Sequence, residues 1–274
     1  MHDTSELSET LLRLPAQPVA AMRVLKLVED PNASAAELAR LIETDPALSA
    51  RVIRLANSPY YGLARRVSSA SRAVVLLGFS TVRALAVSAA CSLLVEEGRL
   101  GPRGYWPHSV ATAAASSVVA RYLRGPVSEA FSAGLLHDLG AALLYRQNPA
   151  LYAKVIEEAG GDGAGLLDAE QRHFGTTHPE AAATVMAAWR FPEEFVLAVS
   201  THHSDPHAVP GILGRIIIAG DAVAAALEQG LIEHPADLED ALGAAGLGTI
   251  PPKRVMNEAR REIATLAAFL GVER

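Results

Sequence analysis

The chain has a single cysteine among 274 residues, Cys91, and that residue lies inside the apolar run Ala84 to Val95. One thiol excludes a disulfide framework, and its setting reads as a small buried hydrophobe in a reducing compartment. Aromatic residues are scarce as well, at 5% of a chain that is half apolar. The apolar weight falls on Ala and Leu, which points to helices rather than a sheet. No apolar run reaches the ~18 residues that span a bilayer. The start Met1-His2-Asp3-Thr4-Ser5-Glu6 lacks the basic residues and apolar block of a signal peptide. A soluble cytoplasmic protein with no membrane association is expected.

Acidic residues are absent from Pro46 to Val95. That stretch carries Arg51, Arg54, Arg65, Arg66, Arg72 and Arg83, a local charge of +6 in a molecule of net charge −6, so the remainder carries −12. The overall acidity excludes a wholly basic nucleic-acid binder, while the uneven distribution predicts a positive face on one lobe. These six arginines are candidate contacts for an anionic partner: nucleic acid, a nucleotide or an acidic protein face.

What is present is helical throughout. Val19, Met22, Leu25 and Val28 recur at near-helical spacing between Pro18 and Glu29. Ser34 stands three before Glu37, a capping box, and Asp45-Pro46 supplies an N-cap with proline at the first helical position. Ala73 to Leu77 and Thr81 to Leu94 read as two helices parted by Gly78, with Ser80 as a cap. The polar, glycine-rich stretch Glu96 to Arg103 is the expected junction between lobes. Beyond it, an alanine-rich helix opens at Trp106-Pro107-His108-Ser109, and Ser128 is the expected cap of a helix running into His137-Asp138. A further helix covers Leu143 to Glu158, Thr177 and Glu180 form a second capping box, and the apolar run Ile216 to Gly220 is read as helix for want of a partner strand.

Seven polar residues of the second lobe sit near helix ends or inside apolar helices: His108, His137, Asp138, His178, His202, His203 and Asp221. Neutral imidazoles with carboxylates suit a divalent metal such as iron, manganese, zinc or cobalt. One cation fits His108, His137, Asp138 and Asp221. A second fits His178, His202 and His203 with Asp138 as a bridge, and such a pair would clamp a phosphate and ionise a water.

The block Ile42-Glu43-Thr44-Asp45-Pro46-Ala47-Leu48, with Arg54-Leu55-Ala56-Asn57-Ser58 and Leu76-Leu77-Gly78, resembles the start of an HDOD domain, the HD-related output domain of bacterial signalling proteins. Gly134 to Gly140, His178 to Trp189, Pro192 and His202-His203 resemble its second half, so the likeness covers roughly residues 11 to 225. The resemblance implies an all-α, two-lobed fold related to HD phosphohydrolases. Its parts would be an arginine-rich lobe at 11–97, an HD-like lobe at 103–225 and a helical extension at 226–274. It also implies a regulatory module without catalysis that meets a signalling protein or a nucleotide second messenger, with nucleic acid as a lesser alternative.

The seven ligand candidates match the set of the related HD-GYP phosphodiesterases, but two features depart from it. Ala141 stands where those enzymes commonly carry a lysine, which removes a cation able to hold phosphate. Ser204-Asp205-Pro206-His207 stands where they follow the His-His pair with an acid and a Gly-Tyr-Pro segment. A metal-dependent phosphohydrolase acting on a nucleotide or cyclic dinucleotide is therefore the alternative reading, and the expected catalytic set is empty.

Overall fold

Several helix starts in this chain are set by side chains that satisfy the free amides of a first turn. A computed structural model describes residues 23, 24, 27, 30, 32–57, 61, 67–79, 81–87, 104–160, 163–189, 191–229 and 236–270, and among them there is no strand. Ser34 and Glu37 form the capping box of α1 (Ala35–Glu43). The Leu48 amide donates to Asp45 Oδ1 at 2.9 Å to start α2 (Pro46–Ala56). Ser69 caps α3 (Ala70–Leu77), and residues 81–87 are again helical. Most of the expected helix at 18–29, the cap Ser80, Arg65, Arg66, Cys91 and the junction Glu96 to Arg103 lie outside the described residues.

The second part holds α4 (Tyr105–Tyr122), α5 (Val127–Leu136), α6 (Leu139–Gln147), α7 (Pro149–Ala159) and α8 (Gly163–Phe174). It continues with α9 (His178–Ala188), α10 (Glu193–Ser200), α11 (Ile212–Glu228), α12 (Ala236–Leu242), a π-helical turn at Gly243–Leu247 and α13 (Pro252–Leu270). Two boundaries differ from the sequence expectation. Ser128 does not cap α5, because the helix already begins at Val127 behind Pro126 and Ser128 lies in its first turn. The stretch from Leu143 to Glu158 is two helices rather than one: Asn148 ends α6 and its side chain accepts the Leu151 amide at 3.1 Å to cap α7. The run Ile216 to Gly220 is helical, within α11. No helix of the described residues is long and apolar enough to cross a membrane.

Helix α4 is the hub, with α5, α11 and α13 packed on it. It is buried on all sides from Ser109 to Ala120, and every side chain there is Ala, Ser, Thr or Val. Small residues let helix axes approach closely. At the two closest crossings glycine faces this helix. A Cβ on Gly134 would lie 2.9 Å from Ala113 Cα, and one on Gly220 would lie 2.8 Å from Ser116 N and Cα.

One hydrophobic cluster runs from Val24 through α1, α2 and α3 into α4, α5 and α11, so the two lobes share a core. Arg83 ties them further. It is buried, stacks its guanidinium 4.4 Å from the Phe191 ring centre, and donates to the Trp189 carbonyl at 3.1 Å. Tyr61 meets Ser132 Oγ at 3.2 Å and packs edge-on against Phe131.

The crossings generate a stability prediction. Gly220→Ala should destabilise the protein by about 2–3 kcal/mol, in the range of overpacked cores, because even with the Ser116 hydroxyl moved aside the Ser116 backbone still obstructs the new methyl. Gly243→Ala meets no atom within 4 Å and should be neutral or slightly stabilising. Thermal unfolding of the two variants checks this, with a fall of roughly 4–12 °C expected for the first alone.

Candidate metal centre

The seven residues singled out above come from five places in the chain. His108 lies in the first turn of α4, His137 and Asp138 occupy the break between α5 and α6, and His178 opens α9. His202 and His203 follow α10, and Asp221 lies in the middle of α11. The thread is pulled tight at Gly140, where a Cβ would overlap the carbonyl of His178. That close approach of α6 to the start of α9 brings Asp138 and His178 into one site.

Four of the five imidazoles are oriented by a bond at the outer nitrogen. His137 Nδ1–H donates to the Gly134 carbonyl at 2.8 Å, and His202 Nδ1–H donates to the Val199 carbonyl at 2.6 Å. His178 Nδ1–H donates to Glu170 Oε2 at 2.8 Å. A carbonyl or carboxylate only accepts, so the proton of each neutral ring sits on Nδ1 and the Nε2 lone pair faces inward. This is the arrangement in which outer partners orient metal-ligating histidines.

The inward lone pairs surround Asp138. Its Oδ1 lies 3.4 Å from His178 Nε2 and 3.5 Å from His202 Nε2. Its Oδ2 lies 3.4 Å from His137 Nε2 and 3.8 Å from His108 Nε2. Asp221 Oδ1 closes the second side, 3.1 Å from His108 Nε2 and 3.7 Å from His137 Nε2. Two sets thus share one carboxylate, Asp138 with His178, His202 and His203, and Asp138 with His108 and His137; within each set the donor atoms lie within 4.8 Å of one another.

His178 Nε2 is 3.3 Å from His202 Nε2 and 3.1 Å from His203 Nε2. Lone pairs that close repel unless a proton or a cation lies among them, so the donor set fits a divalent ion.

In the metal-free protein, protons do this work. Burial opposes charge on His108, but hydrogen bonds to Asp221 and Glu228 overcome it and raise this ring well above the ordinary imidazole range. His178 is raised against burial by Glu170 and Asp138. Burial lowers His137, and burial together with the charge of His202 lowers His203 to about 3. Burial works against ionised Asp138 and Asp221, yet the surrounding imidazoles hold both below the usual carboxylate range.

Two carboxylates that the sequence did not single out support the cluster. Glu170 of α8 is wholly buried and accepts from Tyr152 OH at 2.9 Å and from both the backbone N–H and the ring of His178. Glu228 meets His108 Nδ1 at 3.1 Å. Glu228 stands seven after Asp221, two turns along one helix face, so the spacing carried a signal. No local period links Glu170 to His178.

The cluster forms part of the wall of a cleft of about 790 Å³, bordered also by Ala141, Tyr152, Ile156 and the α13 residues Arg260, Ile263 and Ala267. Among the described residues the arginines of the first lobe differ in exposure. Arg54 and Arg72 are exposed, while Arg51 is half-buried with its guanidinium 6.0 Å from the Trp106 ring centre. Arg83 departs from the expected positive surface, because the Phe79 and Phe191 rings and the Trp189 carbonyl enclose it.

A helical chain with a His/Asp cluster at the break between two helices packed on a small-residue hub defines an HD-like protein. The HDOD domain model matches residues 14–205, and the chain belongs to that family. The chain is similar to an HDOD domain protein with unknown function from Geobacter sulfurreducens, at 26% identity and TM-score 0.59 over 98% of this chain and 99% of that one. It is also similar to the MmoQ response regulator of Methylococcus capsulatus, at 30% identity and TM-score 0.51 over 89% and 97% of the two chains. A Shewanella amazonensis protein provisionally named a phosphohydrolase shares the fold, at 24% identity and TM-score 0.65 over 97% and 98%. An uncharacterized protein of Treponema pallidum is 23% identical over 199 residues, 71% of this chain, and the chain spans 38% of that relative's length.

The geometry sets three expected outcomes. Wild-type protein dialysed against manganese or iron should retain metal, Asp138→Ala should retain none, and Glu170→Gln should bind ~10–100-fold more weakly; elemental analysis and titration read this. Because His108 and His178 hold protons more firmly than free imidazole, uptake should weaken as pH falls, beginning above the ordinary imidazole range. In metal-free protein, Glu228→Gln should lower the midpoint of His108 titration, measured by NMR of the ring protons.

Proposed function

We propose that the chain is a regulatory signalling module whose His/Asp cluster holds divalent metal and whose output is a metal-dependent change of surface rather than turnover. The observation that carries this reading is the pairing of a complete ligand cluster with Ala141. Its methyl lines the cleft where enzymes of the resembling HD-GYP class carry a phosphate-holding lysine, and among the described residues no lysine lines the cleft. Similarity to a response regulator supports the signalling role.

In this reading residues 11–97 form the partner-facing lobe, 103–225 the HD-like lobe and 226–274 a helical extension. His108, His137, Asp138 and Asp221 would hold one cation, and His178, His202 and His203 a second with Asp138 between them. Bound metal would supply Lewis acidity and a fixed positive charge at the cleft wall. The chain's own groups do the positioning. Glu170 fixes His178, Glu228 fixes His108, and the carbonyls of Gly134 and Val199 fix the rings of His137 and His202.

A second reading, a metal-dependent phosphohydrolase, is favoured by one observation: each oxygen of Asp138 faces its own set of imidazoles, as a two-metal clamp requires. Kinetics separates the two. Manganese-loaded protein should raise its melting temperature by roughly 5–11 °C at metal a hundredfold above Kd, about 2.7 kcal/mol of linkage. It should not hydrolyse a chromogenic phosphodiester or a cyclic dinucleotide above the Asp138→Ala background. Hydrolysis that disappears in Asp138→Ala would establish the enzyme instead.

A further inference from the structure

The C-terminal helix α13 lies beyond the residues matched by the family model, yet it forms one wall of the cleft. Arg260, Ile263 and Ala267, spaced three and four apart, share the face that borders it. Arg260 is the one arginine or lysine lining the cleft among the described residues. The other charges of α13 explain why it is available. Glu258 and Glu262 turn the other way, to Arg121 at 3.4 and 2.9 Å, and Glu258 also accepts from Tyr122 OH. The acids of the helix are thereby spent on α4. Lys253, Arg254, Arg260 and Arg261, with Asn257, line a second groove beside the cleft.

Charge decides what this wall can attract. Without metal, the cleft presents the carboxylates Asp138, Asp221 and Glu228 beside the cluster's imidazoles and one guanidinium. Two divalent ions at the cluster would add positive charge there and favour an anion. We propose that the cleft binds a phosphate-bearing small molecule whose phosphate lies between the metal at the His/Asp cluster and the guanidinium of Arg260, so that α13 completes a site the HDOD region alone leaves without a phosphate-holding cation. The inference rests on the metal-holding reading above. Arg260 takes from a different helix the role that Ala141 cannot fill, and its planar fork suits phosphate oxygens. The apolar remainder of the cleft, including Val110, Ile156, Leu166 and Ile263, accommodates the organic part of such a ligand.

The test is calorimetric titration of manganese-loaded, full-length protein with inorganic pyrophosphate at physiological ionic strength, with manganese content measured on every sample. Arg260→Ala should weaken binding about tenfold or more at unchanged manganese content, and Arg260→Lys should restore part of it, as expected for a charge-assisted contact. Lys253→Ala, which touches only the outer groove, should change affinity less than about twofold, because an exposed charge at that distance is largely screened. Pyrophosphate binding that is absent, indifferent to Arg260→Ala, or equally reduced by Lys253→Ala overturns the proposal while the metal reading stands. Failure of the wild type to take up manganese sinks the metal reading and the proposal with it.

Discussion

Everything at this site depends on how closely helices approach where glycine replaces a side chain. Gly140 lies against the His178 carbonyl, Gly134 against Ala113 and Gly220 against Ser116. These contacts set the positions of α5, α6, α9 and α11 relative to the hub α4, and four of those five helices start, end or run at a candidate ligand beside the contact. Asp138 can stand within 3.4 Å of both His137 and His178 because the backbone two residues on has no Cβ. In water-filled packing at ordinary helix separations of ~8–10 Å, the same residues would form two solvated pairs.

That closeness carries an electrostatic cost which the chain offsets locally. Three carboxylates, Asp138, Asp221 and Glu170, lie among five imidazoles in a region where an isolated charge would be expelled or neutralised. Glu170 is the extreme case: it is wholly buried, yet it receives a phenol, an amide and an imidazole N–H. The imidazoles then divide by position. His108 and His178, each bonded to a carboxylate at its outer nitrogen, are pushed up, whereas His137, with only a carbonyl behind it, is pushed down. The facing inner nitrogens suit a cation site better than a structural hydrogen-bond network. A network needs each ring to donate at one nitrogen and accept at the other, and here the inner nitrogens of His178, His202 and His203 face each other.

What was legible in the sequence, and what was not, follows the range of the interaction. The two capping boxes at Ser34 and Thr177 are three-residue patterns, decided by the local backbone, and both form as spaced. The all-α fold follows from the same local signals together with the small-residue composition of the hub. The order of seven histidines and aspartates was legible because each is polar in an apolar helix or at its end, which asks for a partner even when the partner is unknown. Arg83 broke that logic from the other side. It stands in an acid-free stretch and reads as surface charge, but the nearby Phe79 ring, together with a ring and a carbonyl from residues more than a hundred positions away, replaces its water.

Glu170 and Glu258 show the remaining limit. Both occupy helices rich in charge, where an extra carboxylate reads as solvated surface, and their partners His178 and Arg121 come from other elements. Only the tertiary arrangement distinguishes a carboxylate that orients a ligand from one that anchors a helix. The distinction matters for α13 in particular. Its sequence mixes acids and bases along one helix, and the packing sorts them, sending Glu258 and Glu262 to α4 and leaving Arg260 at the cleft. A helix carrying four bases and two acids thereby acquires one basic face at the cleft, a property that belongs to the fold and not to any window of the chain.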